Sequence, residues 1–148
     1  MTHRVEQIMD AFEAAVTGLA TAGTDVKRDD AYQFDDSVQA AIRLHQGACI
    51  KLSQTTPTVS DWALTVYVLA VGKETPSENA LTVVNRINRE IVVAMNLAVF
   101  PHLGLSFVQE VEENDALPVE VAAQAAPISG VQTEWTVMFR RSVTDPGA

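Results

Sequence analysis

Between Thr75 and Phe100 the chain reads as one long amphipathic helix, and any fold must be built around it. The stretch opens Thr75-Pro76-Ser77-Glu78. Thr75 caps the first free backbone N–H groups, Pro76 takes the first helical position, and Glu78 reaches back to close a capping box. Apolar residues recur at Ala80, Val84, Ile87, Ile91, Ala94, Met95 and Ala98, with Leu81 and Val83 widening the stripe. That is helical spacing. Asn85, Arg86, Asn88, Arg89 and Glu90 fall mostly on the other side, and Pro101 stops the run. Such a helix spans about 35 Å, the width of a small domain, so a single sheet can lie along it.

The clearest strand runs immediately before it. In Asp61 to Val71, the residues Trp62, Leu64, Val66, Val68 and Ala70 line one face. Ala63, Thr65, Tyr67, Leu69 and Val71 line the other, which is also fairly apolar. A strand apolar on both faces is covered on both sides. In a single-layer fold, one face then meets helices and the other meets a neighbouring subunit. Gly72-Lys73-Glu74 turns from this strand into the helix.

The remaining elements follow from periodicity. His3 to about Thr21 carries Val5, Ile8, Met9, Phe12, Ala15, Val16 and Leu19 at helical spacing, with Thr2 as cap and Gly23 as stop. A short strand is predicted near Val26. Ser37 to His45 fits helix and strand spacing alike; the strand is taken here, with Gln46-Gly47 as a tight turn into Ala48 to Leu52. Leu105 to Glu113 reads as a strand ending in acid. Asn114 to Gly130, small-residue-rich and carrying Pro118 and Pro127, reads as a long mobile loop that orders on docking to a partner. Val131 to Val143 closes the chain, with Trp135, Val137 and Phe139 on one face. Residues 143–148 are expected to be a flexible tail. Trp62, Val66, Trp135 and Phe139 are expected in the core or between subunits.

Composition narrows the function classes. A chain of 148 residues with 47% apolar and 20% charged residues predicts one ordinary globular domain, 1–148. Its apolar runs fall far short of the roughly 18 residues a membrane span needs, so no membrane partner is expected. The N-terminus lacks the apolar core of a signal peptide, so a cytoplasmic origin is expected. Cys49, the single cysteine, sits in an apolar strand pattern as a small buried hydrophobe. With His3, His45 and His102 scattered, no metal-ligand pattern arises, and no cofactor is expected. No nucleophile sits beside a base, and the acidic pairs Asp29-Asp30, Asp35-Asp36 and Glu112-Glu113 point adjacent side chains apart. An enzyme is not expected. Net charge is −9 and uneven: between Glu90 and Phe139 there is no Lys or Arg, while Glu110, Glu112, Glu113 and Asp115 cluster. The basic footprint for nucleic acid is missing.

Element order and pattern over most of the chain resemble the tail terminator proteins of long-tailed phages, the lambda-type minor tail protein family. The Trp-bearing strand Asp61 to Val71, the turn and the Thr75-Pro76-Ser77-Glu78-Asn79-Ala80-Leu81 opening resemble that family's strand, polar turn and helix start. Val38 to His45 resembles its preceding strand, and Glu134 to Arg141 its final one. Gln39, where many relatives have Pro, and the Ala116 to Gly130 loop depart from it.

The resemblance implies an α+β subunit: a mixed, mostly antiparallel sheet with two amphipathic helices on one face. It implies a hexameric ring on the head-proximal end of the tail tube. Such a ring contacts the tail tube protein and the neck or connector protein, ends tube polymerisation and involves no catalysis. The location is then the virion tail, after assembly in the host cytoplasm. DNA passes through without specific binding, with Glu110, Glu112, Glu113 and Asp115 facing the lumen or its rim; a merely solvated surface is the competing reading of these acids. The alternative function is a small homo-oligomeric ligand-binding α+β domain without catalysis.

Overall fold

The two periodicities resolve into two helices and five strands in the computed structural model, which describes residues 3–28, 39–99, 102–119 and 128–148. Helix α1 is Arg4–Val16 and strand β1 is Val26–Arg28. Strands β2 (Ala40–Gln54) and β3 (Val59–Lys73) form a long hairpin, followed by helix α2 (Ala80–Val99). A short 3-10 turn, His102–Gly104, leads to β4 (Val108–Val119) and β5 (Ile128–Ser142). The sheet order is β1-β2-β3-β5-β4, antiparallel except for the β1–β2 pair. This is the α+β single-sheet architecture expected.

Side-chain alternation assigns the faces. Leu64, Val66, Val68 and Ala70 of β3 share one core with Val131, Trp135, Val137 and Phe139 of β5. The helices close that core: α1 through Val5, Ile8, Met9, Phe12 and Val16, and α2 through Val83, Val84, Ile87, Ile91 and Met95. Phe12 meets Trp135 edge to face, with ring centroids 6.3 Å apart, a geometry that aromatic quadrupoles favour. Both helices therefore lie on one face. On the second face Ala41, Leu69 and Val71 pack with Val119 and Ile128 at one end. Toward the other end Ala63, Thr65, Thr136 and Met138 are half-exposed, with no described helix over them.

Several sequence expectations are corrected. The long helix begins at Ala80, not Thr75. Thr75 to Glu78 instead close on themselves: each backbone N–H donates to the other's carbonyl, and Thr75 Oγ1 accepts from the Glu78 N–H at 3.1 Å. Asn79 is the true cap, its Oδ1 accepting from the Thr82 N–H at 2.8 Å and from Thr82 Oγ1 at 2.9 Å. Asn79→Ala should therefore cost about 0.5–2 kcal/mol in a urea titration, and Thr75→Ala clearly less. The reverse order would return the helix start to Thr75.

Helix α1 ends at Val16 rather than near Thr21, because Thr17 leaves the helix in an extended conformation and Gly18 follows at φ +82°. The Gln46-Gly47 turn is not a turn: β2 runs straight through it with a register shift between Gln46 and Cys49, a bulge that inserts residues into a continuing strand. The strand expected over Leu105 to Glu113 starts later, at Val108, and runs on to Val119. The expected Asn114 to Gly130 loop thus dissolves at both ends, since β5 already starts at Ile128. Pro118 is tolerated because β4 is an edge strand, where a missing N–H costs no ladder bond. The C-terminal residues expected to be a flexible tail are held at several points. Val143 N–H donates to Thr58 O, Arg4 N–H to Pro146 O, and Ser142 N–H to Ala148 O. Readings that involve Thr2, Asp29-Asp30, Asp35-Asp36, Val38, Pro101, Glu120 and Pro127 lie outside the described residues.

Candidate functional site

Of the four residues expected in the core or between subunits, three lie in the core of the subunit. Val66, Trp135 and Phe139 are fully buried. Trp62 is only half-buried; its ring lies under the Arg141 guanidinium, 3.7 Å from the centroid, and its Nε1–H donates to Ser60 Oγ at 2.7 Å. The start of α1 and the Arg141 side chain together border this corner of the sheet.

The acidic set is exposed on the edge strand β4, but it does not share one face. Directly opposed residues on antiparallel strands project to the same side. Glu110 and Glu112 lie opposite Met138 and Thr136, on the second face. Glu113 lies opposite Trp135 and so belongs to the helix-bearing side. Asp115 falls in the register shift between Glu113 and Ala116 and has no partner residue on β5. Acids and bulges on an edge strand also block unwanted pairing with another chain's edge. At the opposite side of the sheet the edge strand β1 is three residues long, too short to invite pairing.

Ion pairs fix the sheet's ends. Arg28 holds Glu6 at 2.9 Å and Asp10 at 2.7 Å, tying β1 to α1. Arg43, buried on β2, holds Asp25 at 2.9 Å. Arg86 holds Glu78 at 2.9 Å, anchoring the turn before α2. Glu90 accepts from the Thr21 N–H and hydroxyl, so the loop after α1 is fastened to α2.

Asp61 and Arg140 are cross-strand partners, with Arg140 Nε donating to the carboxylate at 2.8 Å and Thr55 Oγ1 at 2.9 Å. The Arg140 hydrogen bond is the main reason the Asp61 pKa lies below its usual value, with burial opposing it and Thr55 assisting. A carboxylate whose folded pKa is depressed adds stability above its unfolded pKa of about 3.9 and loses it as pH falls through the folded value. Wild type should therefore exceed Asp61→Asn in denaturation midpoint near neutrality, and the gap should close below about pH 4. A gap independent of pH would show that the pair contributes through packing alone.

Chemistry-bearing groups are few. Among the described residues no three His, Cys, Asp or Glu side chains gather to hold a metal. No described helix is long and apolar enough to cross a membrane. Burial pushes the Cys49 thiol above its ordinary pKa, with Arg141 pulling the other way, so the thiol is held neutral. Cys49 is half-buried rather than sealed in the core. It lines a cleft of about 430 Å³ with His3, Glu6, Gln46, Trp62 and Arg141. Sequence reasoning missed this grouping. His3, Cys49 and Arg141 are far apart in the chain, and only the β2–β3–β5 registers together with the seat of α1 bring them to one place. No protein-family model matches the sequence, and neither does any curated protein.

Proposed function

We propose that the chain is a structural subunit that closes into a homo-oligomeric ring, a hexamer of the tail-terminator kind. In this role it caps a phage tail tube, ends tube polymerisation and joins the tail to the neck. The observation that carries this reading is the placement of exposed apolar side chains on separate surfaces. Ile50 and Leu52 are 58% and 54% exposed on the β2–β3 hairpin. Val93 and Leu97 are 51% and 74% exposed, one turn apart on α2, whose buried stripe faces the sheet. Exposed apolar surface marks interaction sites. Two different patches on one subunit favour head-to-tail contacts, which close into rings when the rotation permits. A self-complementary dimer would need only one patch.

In such a ring the tube protein and the neck protein meet the two ends, and DNA passes through the centre without specific contacts. Glu110 and Glu112, on the sheet face without a described helix, would repel phosphate if that face lines the channel. Glu113 projects to the other side and adds little there. Screening confines the effect to roughly 8 Å at physiological salt, so DNA would slide without sticking rather than meet a barrier.

The test is the mass in solution by light scattering, with and without purified tail tubes, followed by electron microscopy. A mass six times that of the subunit and a ring image are expected, with Leu97→Glu returning the protein to monomer. A wild-type monomer that stays monomeric and unbound beside tail tubes would overturn the reading.

A further inference from the structure

We propose that the cleft between the start of α1 and the β2–β3–β5 corner binds a small molecule bearing a carboxylate or phosphate group, anchored on Arg141. The inference starts from the arginines. Arg28, Arg43, Arg86 and Arg140 each hold a carboxylate. Arg4 covers the Phe107 ring at 4.5 Å and donates to Arg140 O. Among the described residues the Arg141 side chain makes no hydrogen bond or ion pair; it stacks on Trp62 and lies close enough to Cys49 to act on its thiol. In a chain of net charge −9, an arginine without a carboxylate partner inside a cleft is placed to receive an anion.

The stack sets how the arginine presents its donors. Stacking on an indole engages the face of the guanidinium and leaves its rim of N–H donors available, in a fork that matches carboxylate or phosphate oxygens. Trp62 cannot swing away freely, because its Nε1–H is bonded to Ser60. The receptor is thus held in place before any ligand arrives, which reduces the ordering cost of binding.

The rest of the lining agrees with an anionic guest. His3 Nδ1 accepts from the Val5 N–H at 3.1 Å, so its proton sits on Nε2 and leaves that nitrogen a donor. Glu6 is the one acid in the lining, and its carboxylate is already paired with Arg28. Cys49, a neutral thiol, and Val5 provide apolar wall. The volume of about 430 Å³ falls within the range of small-molecule sites, roughly 300–1,000 Å³. None of this depends on ring formation, and a monomer would carry the same cleft.

The experiment is a titration of the full chain with benzoate and, separately, inorganic phosphate, at constant ionic strength. Trp62 emission is the readout, since the only other tryptophan, Trp135, is sealed in the core. A saturable change is expected with at least one probe. Arg141→Gln should weaken it by roughly tenfold or more, as removal of a charged bidentate donor does. Arg89→Gln is the control: Arg89 also lacks a carboxylate partner among the described residues, but it borders a different groove, beside Leu19 and Leu97. It should leave the titration unchanged. Should Arg141→Gln fail to fold, Arg141→Lys decides: it keeps charge and loses the fork, and should bind measurably more weakly. Absence of saturable response to both probes, an unchanged curve in a folded Arg141 variant, or equal loss in Arg89→Gln would each overturn the site.

Discussion

Phe139→Ala is expected to lower stability by about 3–5 kcal/mol, read as a shift in the urea midpoint at unchanged slope. Phe139 is fully buried toward the end of β5, with Trp62 opposite it on β3 and Val108 opposite it on β4. Phe107 meets it edge to face, centroids 6.4 Å apart at 73°. Three of its neighbours thus sit on backbone fixed by strand registers or by the turn before β4, so only side-chain rotation can fill the void. That places the cost at the upper part of the usual range, where the site collapses poorly. The loss also reaches α1, because the Phe107 ring carries the Arg4 guanidinium. Phe139→Leu, which leaves a smaller void, should cost clearly less. A shift below about 1 kcal/mol for the alanine variant would mean that this corner is loosely packed.

Elements with a single unbroken period were legible in the sequence. The β3 alternation and the α1 and α2 stripes each place many residues on the correct face, because one burial direction is repeated along the whole element. These elements agree with the α+β class that the family resemblance implied, and the sheet bears it out. Boundaries were less legible, for identifiable reasons. Thr75 and Asn79 both carry side chains that cap helices, and Pro76 is favourable at a helix start; only the closed turn over Thr75 to Glu78 decides between them. Gln46-Gly47 has the composition of a turn, yet a bulge uses the same residues within a strand. Pro118 reads as a breaker unless β4 is known to be an edge, and edge position is a property of the whole sheet.

The candidate sites show the same limit. The acids of β4 were visible as a charge run, but their division between two faces depends on the register against β5, which no local pattern encodes. Asn88, grouped by the helical wheel with the polar residues, in fact accepts a hydrogen bond at 3.0 Å from the buried Thr133 hydroxyl across the helix–sheet boundary. A wheel cannot reveal that an amide at the edge of the stripe has a buried partner on a strand. Arg141 looked like the end of a closing strand; that it stacks on Trp62 inside a cleft without a carboxylate partner became visible only in three dimensions.

Gly72→Ala is expected to destabilise the fold by about 1–3 kcal/mol through overpacking. Gly72 sits near the end of β3, opposite Ala40 on β2 and Ser129 on β5, where the sheet passes under the first turns of α2. A Cβ added there would lie 2.9 Å from Val83 Cγ1 and 3.0 Å from both Val83 Cβ and Val84 Cγ2. Rotating Val83 relieves the first contact but not the second, because its Cβ is fixed to the helix backbone. Relief therefore requires α2 to lift from the sheet or the β3 end to shift, and the β3 end is paired on both sides. A compatible Gly→Ala change would instead gain about 0.4–1 kcal/mol by restricting the unfolded chain, so the two effects oppose each other and the steric one is the larger. Val83→Ala would be destabilising alone, yet in combination it removes the nearest methyl and should recover part of the Gly72→Ala loss. That predicts a double-mutant coupling of about 0.5–3 kcal/mol, in the sense that each substitution costs less in the presence of the other. Strict additivity, or a gain in stability from Gly72→Ala alone, would show that α2 rests on the sheet with room to spare, and the close approach at Gly72 would no longer be what seats the helix.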